Sequence, residues 1–191
     1  MSERTRKIKT VEFLCKEGYF NVNTLDGYSY LVESNTHGYK TLIAKDNKLE
    51  NLQYFEIEIH SDVDTSIRTG YATLEAELLG PLGYDTNSYC YQTMNGYGIY
   101  NGKKEVFGER VYKGQCISVF MTLKRPKRIL FGINGKIVEK SFEIDENLFK
   151  MGLYPAISIY KQGNCTINLG PYFTFKEKTE KEYLSMLNKN K

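Results

Sequence analysis

The chain has 191 residues, about the length of one domain on the usual 100–200-residue scale, and 41% hydrophobic with 14% aromatic residues supply material for one buried core. Its 26 basic and 23 acidic side chains leave a formal charge of +3, which excludes the concentrated basic footprint of a dedicated nucleic-acid binder. No run approaches the roughly 18 apolar residues of a membrane span, and Lys16 and Glu17 break the apolar run near the start, so an intracellular protein is expected.

Residues 1–10 read as a basic tail, 11–176 as the folded domain and 177–191 as a C-terminal helix or tail. Turn signals recur about every 8–12 residues between short alternating segments, the rhythm of an all-β, antiparallel two-sheet sandwich. Residues 29–33 are the first strand candidate. Over 54–60, Phe55, Ile57 and Ile59 alternate with Glu56, Glu58 and His60, so one face should be core and the other wet. Segments 67–74, 88–93, 116–123, 129–133, 137–142, 156–160 and 165–169 bring the expected strands to about nine. Between Ile133 and Lys136, Asn134-Gly135 supplies the two positive φ angles of a type I′ hairpin turn. The run from Gly96 to Gly102 reads as a turn, because no Gly-Lys-Ser/Thr ending makes it a phosphate loop.

Cys15, Cys90, Cys116 and Cys165 are far apart, with no C-x-x-C pair and only His37 and His60 as histidines. That pattern predicts buried free thiols, with no metal and no cofactor. Helix is expected only at the end, where 177–190 lacks Gly and Pro and spaces Tyr183, Leu184 and Leu187 at i, i+1 and i+4.

Six ordered motifs over roughly residues 27–175 resemble the SPRY domain: Arg68-Thr69-Gly70-Tyr71, the tract from Gly83-Tyr84-Asp85 to Ser88-Tyr89, the run from Lys113-Gly114 to Val119, Phe131-Gly132-Ile133-Asn134-Gly135, the run from Leu153-Tyr154-Pro155 to Ser158, and Ile167-Asn168-Leu169-Gly170-Pro171. The resemblance implies a bent, concanavalin-like β-sandwich that serves protein interaction. Gly80-Pro81-Leu82-Gly83-Tyr84-Asp85, Gly27-Tyr28-Ser29, Tyr54-Phe55-Glu56-Ile57 and Tyr160-Lys161 look most like the Ash-two and Bre-two type subunit of COMPASS (SET/MLL) histone lysine methyltransferase complexes. By that likeness Tyr28, Arg68, Pro81 and Tyr84 would form a pocket for an acidic segment of the WD-repeat subunit, supporting the SET-domain catalytic subunit in the nucleus. The terminal helix would dock a small helical dimer through Tyr183, Leu184 and Leu187, with Met186 at its side. The chain departs from the family pattern in having no Trp, with Tyr71 and Gln115 at two motif positions where another residue is usual.

Other readings stand beside these. Arg68 as a planar fork suits a carboxylate, yet it is also read as an edge-strand charge beside a Pro81-Tyr84 turn with a buried Tyr. Glu56 and Glu58, two apart on one strand face, match the carboxylate pair of a β-sandwich glycosidase, and equally a solvated strand face. Lys124, Arg125, Lys127 and Arg128 suit a nucleosome or nucleic-acid contact, or a hairpin tip kept soluble by charge. The overall expectation is a non-catalytic scaffold, with a generic SPRY adaptor of the Ran-binding or ubiquitin-ligase-receptor kind as its alternative.

Overall fold

The computed structural model describes residues 11–45, 53–62 and 65–189; the expected basic tail at 1–10 lies outside these. Fifteen strands among them form two antiparallel sheets. The first sheet runs in the order β1 (Glu12–Leu14), β4 (Lys40–Lys45), β14 (Tyr154–Ile159), β6 (Ile67–Ala72), β7 (Ser88–Gln92), β8 (Tyr97–Tyr100) and β9 (Lys103–Val106). The second runs β12 (Lys136–Ile137), β11 (Arg128–Ile133), β10 (Cys116–Thr122), β5 (Tyr54–Ile59), β15 (Gly163–Asn168), β3 (Ser29–Ser34) and β2 (Phe20–Thr24), with β13 (Phe142–Glu143) also against β11. A one-and-a-half-turn helix, α1 (Glu146–Met151), and the terminal α2 (Lys176–Lys189) complete it. None of the described helices is long and apolar enough to cross a membrane.

The alternation read from the sequence sets the core. Phe55, Ile57 and Ile59 point inward with Ile117, Val119 and Phe131, and meet Tyr71, Tyr91 and Ile157 from the first sheet. Phe55 and Tyr71 pack edge to face at 5.3 Å. Each large side chain so buried contributes about 1.5–3 kcal/mol of transfer free energy, so this inter-sheet layer dominates stability.

Both outer faces also carry apolar cover. On the first sheet, segment 73–87 lays Ala76 and Leu82 over Ile43, Ala72, Cys90 and Ala156. On the second, α2 and the segment before it lay Phe173, Tyr183 and Met186 over Tyr54, Phe120, Leu130 and Ile137. The outer face of β5 is therefore not wet throughout, because Glu56 is only 3% exposed beneath this layer while Glu58 stays in solvent.

The Asn134-Gly135 hairpin forms as expected, with φ of 49° and 81°. A second such turn at Asn101-Gly102 joins β8 to β9, so the stretch expected as a turn from Gly96 to Gly102 contains a strand between two turns. Segment 137–142 is not one strand: its ends belong to β12 and β13, which pair with different parts of β11. β9 carries Lys103, Lys104 and Glu105 fully exposed at a sheet edge, charge that discourages pairing with another molecule and hides the strand's periodicity. Helix α1 rests on its N-cap: the Asp145 carboxylate accepts from the Asn147 and Leu148 N–H groups, and the Asp145 N–H donates to the Tyr89 hydroxyl at 3.0 Å.

Candidate functional site

Arg68 lies on β6, paired on both sides by β14 and β7, so it is a central-strand residue and not an edge charge. Its neighbours Ile67 and Tyr71 go to the inter-sheet core, while Arg68 faces outward with Ala72, and it is only 6% exposed. One terminal nitrogen, Nη1, donates to the Leu82 carbonyl at 2.9 Å, and the guanidinium carbon sits 4.6 Å from the Tyr39 ring centroid. Across the ladder is Gln92, whose Nε2 donates to the Ser66 hydroxyl at 3.1 Å and the Tyr39 hydroxyl at 3.3 Å. Arg68 Nε and Gln92 Oε1 are both buried without a hydrogen-bond partner among the described residues. No described carboxylate pairs with the guanidinium. A buried cation with neutral partners only, beside an unmatched acceptor, is poised for a group that brings negative charge and a donor.

Local sequence explains the surrounding turn. The Leu82 N–H donates to the Ser158 hydroxyl at 3.0 Å, the Gly83 N–H to Ser88 Oγ at 2.8 Å, and Gly83 takes a φ of 83°. The Tyr84 N–H closes the turn on the Pro81 carbonyl at 3.2 Å. Arg68 thus reaches this turn through the Leu82 carbonyl, between Pro81 and Tyr84 in the chain, and Tyr84 is 70% exposed, not a buried turn tyrosine. Beside Arg68 the Cys90 thiol donates to the Leu82 carbonyl, and burial pushes its pKa up to about 12 against the opposing pull of the arginine charge.

Tyr28 is elsewhere. It follows the β2–β3 turn in the second sheet, packs edge to face on Tyr172 at 6.2 Å, and lines a groove with Tyr54 and Phe120 on the outer face of that sheet. The tyrosine at Arg68 is Tyr39, just before β4, tilted against Tyr160 at 5.0 Å between ring centroids. Tyr39 and Gln92 carry no motif of their own, and only the strand pairing brings them to Arg68.

The second-face groove encloses about 860 Å³ and is the larger cavity; a shallower one of about 420 Å³ is lined by His37, Thr65, Lys161 and Gln162. Arg68 lines neither of these two. In α2, Thr179, Tyr183 and Met186 face the sandwich, with Tyr183 edge to face on Phe120 at 5.8 Å. Tyr183 is therefore engaged within the chain, while Leu184 and Leu187 are 58% and 45% exposed on the groove side.

The Glu56 carboxylate accepts from Tyr54 Oη at 2.7 Å, the Thr174 N–H at 2.8 Å and the Phe175 N–H at 2.7 Å. It therefore holds the entry to α2 and is not free for acid–base work with Glu58. Glu58 lies 4.0 Å from His60, whose Nε2 meets the Thr166 hydroxyl at 2.7 Å. None of these three residues lines either of the two cavities above. Of the basic run, Lys127 pairs with Glu146 at 2.9 Å and sits over Phe149, and Arg128 donates to Ser141; Lys124 and Arg125 remain exposed. No described group of His, Cys, Asp or Glu side chains is placed to hold a metal ion.

The SPRY-domain family model matches residues 52–172. A crystal structure of a human SPRY domain superposes with a TM-score of 0.65 at 20% identity, covering 85% of this chain and 99% of that one. At that identity the likeness concerns the fold, which it shares: two antiparallel sheets, with helix confined to short pieces. The match over well over half of the sequence, together with this architecture, establishes that the chain belongs to the SPRY family.

Proposed function

We propose that this SPRY chain is a non-catalytic interaction subunit that takes an acidic side chain of a partner segment at Arg68. SPRY domains are generally interaction modules, and the observation that carries the specific reading is the buried, unpaired guanidinium over Tyr39. A partner carboxylate would neutralise it, and a partner main chain, with both an N–H and a carbonyl, would match Gln92 Oε1 and Arg68 Nε. Tyr84, exposed in the turn whose Leu82 carbonyl Arg68 holds, would supply an aromatic contact of the kind that anchors interfaces.

The finer form of this reading is the COMPASS-type scaffold in the nucleus, with an acidic WD-repeat-subunit segment at Arg68, Pro81 and Tyr84 and the SET-domain subunit as the beneficiary. The generic SPRY adaptor is the second reading. It is favoured by the separation of Tyr28 from Arg68, since the set of four residues that the methyltransferase resemblance implies does not assemble on one face.

Titration calorimetry of an acidic peptide and its Glu→Gln counterpart tests the shared core. The acidic form should bind tighter, and Arg68→Lys should weaken it, because an ammonium group cannot reproduce the fork. Equal binding of the two peptides would refute the site. Affinity purification then separates the two forms: WD-repeat and SET-domain proteins among the captured partners support the scaffold, and their absence supports the adaptor.

A further inference from the structure

A sheet face left to solvent usually carries polar residues at alternate positions, yet the outer face of the second sheet presents Tyr54, Phe120 and Leu130. Helix α2 covers one side of it through Thr179, Tyr183 and Met186. On its other side Leu184 and Leu187 overhang the 860 Å³ groove, whose floor is Tyr54 and Phe120 and whose far wall is Tyr28 and the segment from Leu169 to Phe173. The volume falls in the range of about 300–1,000 Å³ typical of small-ligand sites, and the lining is mostly aliphatic and aromatic.

The charges at this groove have a sign. Lys124 and Lys176 line it, with Glu180 as the one carboxylate among the lining residues. Neither lysine has an ion-pair partner among the described residues. Lys176 Nζ stands 5.4 Å from the Phe173 ring centroid and 5.9 Å from that of Tyr54. Two of the aromatic rings that line the groove are thus already paired with a cation of the chain, whose charge also repels a cationic ligand. What remains is an apolar trough with an unneutralised ammonium group over its floor.

We infer that this groove binds a single-headed anionic amphiphile, a small carboxylate with an aliphatic or aromatic body. The body lies on Tyr54 and Phe120 beneath Leu184 and Leu187, and the carboxylate meets Lys176. The site is on the opposite face from Arg68 and does not depend on the peptide reading.

The test is calorimetry on the full chain with octanoate, decanoate and dodecanoate below their micelle concentrations, with dodecylammonium as the charge-reversed probe. One-to-one binding is expected, tightening about fourfold per added methylene, with dodecylammonium at least about tenfold weaker than dodecanoate. Leu184→Asp, at a residue 58% exposed and therefore compatible with folding, should weaken dodecanoate more than about tenfold. Lys176→Glu should reverse the preference between the two probes. Absence of saturable dodecanoate binding, equal binding of dodecylammonium, or indifference to Leu184→Asp would each overturn the inference. So would a dimer in sedimentation equilibrium that Leu184→Asp dissolves and dodecanoate leaves untouched, since the groove would then belong to a second copy.

Discussion

Replacing Arg68 by Met should weaken the proposed recognition strongly while leaving the fold about as stable as before. The substitution removes a hydrogen bond from a charged donor to the Leu82 carbonyl, about 1.5–3 kcal/mol, and a cation–π contact with Tyr39 of about 0.5–2 kcal/mol. Against this loss of roughly 2–5 kcal/mol stands the desolvation of a guanidinium that is 6% exposed with no described counter-charge, a cost of several kcal/mol. The Leu82 carbonyl is not orphaned, because the Cys90 thiol still donates to it at 3.1 Å. The two sides are of the same size, a few kcal/mol each, so the net change should stay within about 2 kcal/mol, or less than about 8 °C in Tm for a domain of this size. Peptide affinity should fall by about 1.5–3 kcal/mol, roughly ten- to 150-fold. Differential scanning fluorimetry beside calorimetry measures both quantities on one sample. A Tm loss beyond about 8 °C would show that Arg68 is a structural tie and refute the argument that its charge is held in reserve for a partner.

Glu56→Gln bears on the terminal helix: an amide at this position cannot accept from Tyr54, Thr174 and Phe175 together and turns an N–H toward a donor, at a cost of about 1–3 kcal/mol. Hydrogen exchange should show the α2 amides opening well before those of the core strands, and wild-type protection along α2 in the variant would count against Glu56 as its latch. Alkaline pH should destabilise the domain through its buried thiols. Burial raises Cys90 and Cys165 from 9.0 to about 12, so between these values the unfolded chain releases protons that the folded one retains. Their stabilisation is intact below pH 9 and declines as pH rises from 9 to 12, by about 1.4 kcal/mol per pH unit for each thiol. Urea titrations at pH 8, 9.5 and 10.5 measure it, and the double Cys90→Ala, Cys165→Ala variant should flatten the decline; an unaltered slope would show that these thiols do not carry it.

What the sequence made readable was whatever local chemistry decides. The alternation over 54–60 gave the core face of β5, and Asn134-Gly135 gave its hairpin, because both depend on residues within a few positions. The ordered motifs led to the SPRY fold for the same reason. What stayed hidden depends on neighbours distant in the chain. Glu56 looks solvated until the segment leading into α2 arrives from 118 residues away to bond it. Tyr39 and Gln92 look like ordinary polar positions until β14 and β7 flank β6, and Tyr28 was placed by motif likeness on a face that its own sheet membership denies it. Met186 and not Leu184 or Leu187 turned inward with Tyr183, a choice set by the rotation of α2 on the sheet and not by the hydrophobicity of the residues.

The order of strands has a consequence for biosynthesis. β14 fills the gap between β4 and β6, and β15 the gap between β5 and β3, so the second sheet waits for its centre until residue 168, and the first until residue 159, has left the ribosome. A nascent chain shorter than this holds β4, β6, β3 and β5 with open edges and unburied apolar faces, the state most prone to wrong pairing between molecules. Pairings of such long sequence separation also form slowly. Neither sheet can therefore be completed before its central strand has emerged. A stop codon before β14 removes the centres of both sheets at once, one between β14 and β15 removes that of the second sheet alone, and one between β15 and α2 leaves every strand with its neighbours.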